Sequence, residues 1–151
     1  MFNLFDDRSS AAGTDAGLAL LRLALGIVFI AHSAYLKLMV FTLPGTAAFF
    51  ESLGLPAFSA YVVFAVEAIG GVLLITGVLT RLAALALTFV SAGAAWAHLG
   101  AGWLFTNTGG GWEYPVFLVA TSAVLVLTGP GRLTIRALLR GNDAQTAAVP
   151  A

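Results

Sequence analysis

Four stretches of this chain are apolar over lengths that suit a membrane-spanning helix, and this feature limits the fold more than any other. A bilayer core of about 30 Å needs about 20 apolar residues per helix. The stretches are approximately residues 17–36, 57–79, 82–99 and 114–128. Only 9% of all residues are charged, whereas 60% are hydrophobic. The charged residues are too few to cover the surface of a water-soluble globule. The sequence therefore predicts an all-α fold, an integral membrane four-helix bundle.

The segments between the stretches complete this prediction. Phe49, Phe50 and Leu53 in the first loop indicate a short amphipathic helix at the membrane interface. Helices two and three are separated only by Thr80 and Arg81, which predicts a tight hairpin. We expect a single transmembrane domain over residues 1–140, followed by a disordered tail at 141–151.

Basic residues are unequally divided between the two ends of the predicted bundle. The end that carries both termini holds Arg8, Arg22, Arg81, Arg132, Arg136 and Arg140. The opposite loops hold Lys37 alone. This asymmetry predicts a multi-pass protein of the inner (plasma) membrane with both termini in the cytoplasm. The alternative for the first stretch is a cleaved signal peptide, but the segment before it has three Asp against one Arg.

Composition also excludes several kinds of chemistry. The chain has no cysteine, which rules out disulfides, Cys-ligated iron–sulfur clusters and covalent haem. No flavin or nicotinamide fingerprint is present, so we expect no flavin cofactor. The net charge is zero and the basic residues are dispersed, so the sequence predicts no nucleic-acid partner.

Glu67 lies near the middle of the second apolar stretch, close to the bilayer midplane. A carboxylate facing lipid at that depth is very costly, so the side chain is predicted to face the bundle interior. Gly70 and Gly71 share its helix face and allow a second helix to approach closely. Arg22 of the first helix is the predicted partner. Two interpretations stay open: a structural ion pair of Arg22 with Glu67, or a role in proton transfer or ligand binding.

A second group of polar and aromatic residues is predicted near the outer end of the bundle. It comprises His32, Lys37, His98, Trp112, Glu113 and Tyr114. Ionisable groups inside a membrane bundle are functional candidates. Each also has a structural explanation: Lys37 can extend to the interface, Glu113 can complement a helix N-terminus, and either histidine can bond a backbone carbonyl. Haem b ligation by the two histidines, or a metal held by them and Glu113, is a weaker alternative, and we predict no metal site.

Four strings in order resemble successive motifs of the DoxX family of small four-helix membrane proteins. They are LLRLALGIVFIAHSAYLKL, EAIGGVLLITGVLTRLAAL, GGGWEYP and GPGR, and the resemblance covers about residues 18–132, nearly the whole membrane part. The family pattern falls on Arg22, His32, Lys37, Glu67, Arg81 and Glu113-Tyr114-Pro115. Ser33 stands where a Gly commonly follows the His, and LTIRALL replaces an acidic residue often seen after GPGR. The resemblance implies a membrane subunit of an oxidoreductase system, similar to subunits of a thiosulfate:quinone oxidoreductase.

The residues and the resemblance lead to one principal functional hypothesis, a quinone-linked membrane subunit. Glu67 and His32 are the predicted catalytic residues. Quinone-binding residues are predicted to be His32, Lys37, His98, Trp112, Glu113 and Tyr114. A soluble or membrane redox protein would deliver electrons, and a homo-oligomer is possible in the lipid bilayer. The alternatives are a non-catalytic membrane scaffold for a soluble redox enzyme and a small-solute or proton transporter.

Overall fold

A computed structural model describes residues 10–146, with side chains described as far as Arg140, and this part of the chain is helical without β-strands. Helix α1 (Ala11–Ile30) continues without a break into a π-helical segment (Ala31–Val40). A short 3₁₀ turn (Leu99–Ala101) follows the fourth α-helix. The other helices are α2 (Leu43–Ser52), α3 (Phe58–Thr76), α4 (Thr80–Ala97), α5 (Glu113–Thr128) and α6 (Ile135–Thr146).

Local sequence signals explain where several helices begin and end. Ser10 caps α1 by accepting a hydrogen bond from the Gly13 amide at 3.0 Å, and Thr42 caps α2 in the same way. Helix α3 ends at Gly77, which has a φ of 74°, a left-handed conformation that glycine adopts without steric cost. The turn after it passes through Leu79 at a φ of 48°, which makes the α3–α4 hairpin tight.

Helices α1, α3, α4 and α5 pack around a shared apolar core. Helix α3 contacts both α1 and α4, the contact between α4 and α5 is the most extensive, and α5 returns to α1. Leu25, Phe29, Leu74, Leu87 and Leu125 form the centre of this core. The arrangement brings the inward faces of four helices together and leaves α6 outside the core.

Glycines permit the close approach of α1 to α3. A methyl group at Gly71 would lie 2.9 Å from the carbonyl oxygen of Gly26, and one at Gly26 would lie 2.8 Å from that of Gly71. Gly70 instead faces Leu87 of α4. The pair of adjacent glycines thus serves two neighbouring helices, as small residues do at contacts between membrane helices.

Within residues 10–146, three helical segments are long and apolar enough to cross a membrane: Ala11–Val40, Phe58–Thr76 and Thr80–Ala97. Helix α5 is also apolar but has only 16 residues. Large apolar side chains cover the outside of the described bundle, with Ile69 62%, Phe89 71% and Leu127 78% exposed. An outer surface of this kind suits lipid rather than water.

The observed bounds differ most from the predicted ones in two places, and elsewhere by at most three residues. The first helical segment extends over Ala11–Val40 rather than 17–36. Hydropathy marks only the apolar part of a helix, and this helix continues beyond that part at both ends. Helix α6 was not predicted, and it occupies residues 141–146 of the segment expected to be disordered. The remaining five residues of that tail, 147–151, lie outside the described residues. The loop expected to hold a short helix contains α2.

Candidate functional site

Lys37 and Glu67 form a buried ion pair between the π-helical segment and α3. The Lys37 ammonium donates to both carboxylate oxygens of Glu67, at 2.8 Å to Oε1 and 2.7 Å to Oε2. The side chains are only 16% and 6% exposed. A charge buried to this degree needs a partner, and each residue here supplies one to the other.

The directions of the two helices explain why these residues meet. Side chains of a helix tilt toward its N-terminus. Helices α1 and α3 run in opposite directions, so Lys37 reaches back toward the middle of the bundle while Glu67 reaches toward the end where Lys37 lies. The tilt closes the vertical gap between them.

The predicted ion pair between Arg22 and Glu67 is wrong. Arg22 is 2% exposed, and its guanidinium donates to the carbonyl oxygens of Ile75 and Leu133. Its side chain tilts toward the N-terminus of α1, away from Glu67, and reaches the C-terminal turn of α3, where unpaired carbonyls attract a cation. Arg22 therefore joins α1, α3 and the connection before α6 at one end of the bundle.

His32 lies one turn before Lys37 and faces α5. Its Nδ1 lies 2.9 Å from the carbonyl oxygen of Val28, so this nitrogen carries the proton and donates it. The ring stacks on Tyr114, with 5.9 Å between centroids and 21° between planes. In the neutral ring Nε2 is then left as a hydrogen-bond acceptor.

A cavity of about 990 Å³ connects these groups. Its polar lining residues include His32, Lys37, Glu67, Ser91, His98 and Tyr114. Most of the remaining wall is apolar. The structure thus brings five of the sequence-predicted site residues, on four different elements, to one cavity.

Two predicted site residues, Trp112 and Glu113, do not line the cavity. The Trp112 and Trp103 rings make an edge-to-face contact at 4.4 Å. The Glu113 carboxylate accepts a hydrogen bond from the Phe105 amide at 3.4 Å. Both contacts stabilise the loop between α4 and α5. His98 stabilises it as well, because its Nδ1 donates a hydrogen bond to the Gly109 carbonyl at 2.9 Å. His98 alone of these three also lines the cavity.

Ser91 is a cavity residue that the sequence analysis missed. It is 2% exposed, and its hydroxyl has no hydrogen-bond partner among the described residues. Other helical hydroxyls, such as those of Ser33 and Thr88, bond to a carbonyl one turn back. In the sequence Ser91 opens the segment SAGAAWAH, and nothing in the pattern distinguishes it from the other small residues there, which are typical of contacts between membrane helices.

The bundle and its cavity define a small helical membrane protein with an ion pair buried in an apolar pocket. The chain belongs to the DoxX family, whose model matches residues 17–100. It is 40% identical over 118 residues to "Putative oxidoreductase CatD" of Bacillus subtilis (strain 168), an alignment that includes 76% of this chain and 81% of the relative. No solved structure matches the chain. The family resemblance read from the sequence is thus confirmed.

Proposed function

We propose that this protein is a membrane subunit of a quinone-linked oxidoreductase system and binds the quinone head group in the cavity. The observation that carries the proposal is the Lys37–Glu67 pair, two ionised groups that line an otherwise mostly apolar pocket. Ligand sites combine an apolar wall with a few converging polar groups in this way, and their volumes run from about 300 to 1,000 Å³.

The outer wall of the cavity supports a ligand that arrives from the bilayer. Five aromatic side chains line the cavity and are also exposed at the bundle surface: Phe41 59%, Phe49 46%, Phe89 71%, Trp96 53% and Phe105 64%. In a membrane these exposed surfaces face lipid. A lipophilic molecule such as a quinone with an isoprenoid tail would pass between them, with its head among the polar groups and its tail in the bilayer.

The polar groups match the chemistry of a quinone. A protonated lysine has three donors, and the Lys37 ammonium gives two of them to Glu67, which leaves one for a carbonyl oxygen. His32 Nε2 can accept a hydrogen bond from the corresponding quinol hydroxyl. Reduction adds two electrons and two protons. The Glu67 carboxylate and His32 Nε2 would each take up a proton from water and pass it to a quinone oxygen, as general acid–base groups do.

The electrons would come from a partner. The chain has no cysteine, and we propose that a reduced soluble or membrane redox protein transfers two electrons to the bound quinone. The relative from Bacillus subtilis is itself named an oxidoreductase. Glu67 and His32 are the proposed proton-transfer residues, and Lys37, Tyr114 and His98 the proposed contacts to the ligand.

We also propose four membrane spans in the inner membrane, with both termini in the cytoplasm. Helix α5 would be the fourth span, since it is apolar and lies against α4 along its length. Natural cysteines are absent, so single cysteines at Ser10 and Thr108 report the topology through a membrane-impermeant maleimide. Thr108→Cys should react in intact cells and Ser10→Cys only after the membrane is opened. The opposite pattern would contradict the orientation, and equal reactivity would contradict the three spans proposed between these two positions.

Titration of the folded protein in detergent with a short-chain quinone tests ligand binding. Quenching of tryptophan fluorescence is the readout, because Trp96 lines the cavity. We expect saturable binding of the quinone. The corresponding short-chain quinol, added as a competitor, should bind about tenfold more weakly to His32→Phe, which keeps an aromatic ring on Tyr114 but removes the Nε2 acceptor, as the loss of about one hydrogen bond.

Ser122→Ala is the matched control, because Ser122 is buried outside the cavity. Absence of saturable binding to folded wild-type protein would overturn the proposed function. Equal quinol binding by His32→Phe and wild type would place the ligand outside this cavity.

A further inference from the structure

Helix α6 is amphipathic, and its apolar side has no cover in the described chain. Ile135, Leu138 and Leu139 have the i, i+3, i+4 spacing of one helix face and are 45%, 68% and 60% exposed. Arg136 and Arg140, one turn apart, share an adjacent face and are exposed as well. Thr134 caps the helix by accepting a hydrogen bond from the Ala137 amide at 3.2 Å.

Two contacts hold the start of α6 at the membrane boundary. The Asp15 carboxylate accepts a hydrogen bond from the Arg132 amide at 2.9 Å, and Arg22 donates to the carbonyl of Leu133. Asp15 and Arg22 belong to the first turns of Ala11–Val40, a segment long enough to cross the bilayer. Helix α6 therefore begins level with one end of a spanning helix and outside the bundle core.

We infer that α6 lies on the membrane surface and binds anionic phospholipid head groups through Arg132, Arg136 and Arg140. The apolar face enters the boundary between head groups and acyl chains, as in other interfacial helices. Arginine side chains at the edge of that face match phosphate in charge and in hydrogen-bond geometry. The other possible cover, a soluble protein, would have to reach an apolar stripe that starts at the lipid boundary.

The site is separate from the cavity, so its test is independent of quinone binding. The full-length protein carries a single cysteine, Leu138→Cys, labelled with an environment-sensitive fluorophore. The control is Ala137→Cys, on the opposite side of the helix. Each is reconstituted into vesicles of phosphatidylcholine alone and into vesicles that also contain phosphatidylglycerol.

We expect the label at position 138 to report an apolar environment in the anionic vesicles, and the label at 137 to report water in both. Replacement of Arg136 or Arg140 by Gln should lower the ratio of membrane-bound to free label about fivefold for each arginine. Equal water exposure of both labels in anionic vesicles would overturn the inference. So would a ratio of membrane-bound to free label that changes neither with phosphatidylglycerol nor with replacement of the arginines. Burial of the label only when a soluble protein is added would assign the face to a protein partner.

Discussion

The Lys37 ammonium bridges both oxygens of the Glu67 carboxylate, which joins the π-helical segment to the middle of α3. Removing one charge leaves the other buried without a partner. We expect Glu67→Gln to lower the free energy of unfolding by about 3 kcal/mol. The double variant Lys37→Met/Glu67→Gln should lose less than this, because neither charge remains. Unfolding of both variants in detergent micelles measures the difference, and a double variant less stable than the single one would contradict a compensated pair.

Arg22 and Glu67 should act independently on stability. Arg22 bonds to Ile75 and Leu133 rather than to the carboxylate. In a double-mutant cycle with Arg22→Met and Glu67→Gln, we expect the two losses to add within about 0.5 kcal/mol. Arg22→Met alone should cost about 1–3 kcal/mol, because buried carbonyls lose a charged donor. A coupling energy well above this value would mean that Arg22 and Glu67 do interact, as the sequence predicted.

Gly71 should tolerate no side chain. Its missing Cβ would lie 2.9 Å from the backbone oxygen of Gly26, which cannot move without shifting α1. We expect Gly71→Ala to cost about 1–3 kcal/mol of unfolding free energy through overpacking. Gly17→Ala is the control, since nothing lies within 4 Å of the methyl group it adds. That change should be neutral or stabilising by up to about 1 kcal/mol in the same assay.

Ser91 and Ser122 should differ in ligand binding although their environments are alike. Both hydroxyls are buried without a partner in the described part of the chain, but Ser91 alone lines the cavity. Rotation about its Cα–Cβ bond lets the Ser91 hydroxyl meet a carbonyl of the ligand. We expect Ser91→Ala to weaken short-chain quinone binding about fivefold, as a neutral hydrogen bond contributes about 1 kcal/mol. Ser122→Ala should leave it unchanged, and equal affinities for the two variants would remove Ser91 from the site.

Hydropathy was sufficient to predict the main helices, because a bilayer demands long apolar stretches and little else competes with that signal. It also marked Glu67 as a residue that must face the interior, where the structure has it. The predicted partner, Arg22, is wrong because the position of a residue along its helix does not include the direction in which its side chain points. The tilt of side chains toward the helix N-terminus favours Lys37, and this tilt can be read from helix direction without a structure.

Other features could not be predicted from single-residue patterns. Trp112 and Glu113 resemble site residues by type, yet they stabilise a loop, and only three-dimensional contacts separate the two roles. Helix α6 was not predicted because it begins beyond the last apolar stretch and extends past residue 140, where the disordered tail was expected to begin. The three apolar and two basic positions after Thr134 do carry a helical period, over too short a length to stand out.

The π-helical segment determines which way Lys37 faces. Its hydrogen bonds join residues five apart, so the chain turns less per residue over Ala31–Val40 than it does in α1. An ordinary α-helix turns about 100° per residue, so the same residues wound as an α-helix would each turn further around the axis, by an amount that grows from Ala31 to Lys37. Lys37 would then point away from α3 even though its identity was unchanged. The winding of this segment is therefore as much a part of the site as the chemistry of its residues.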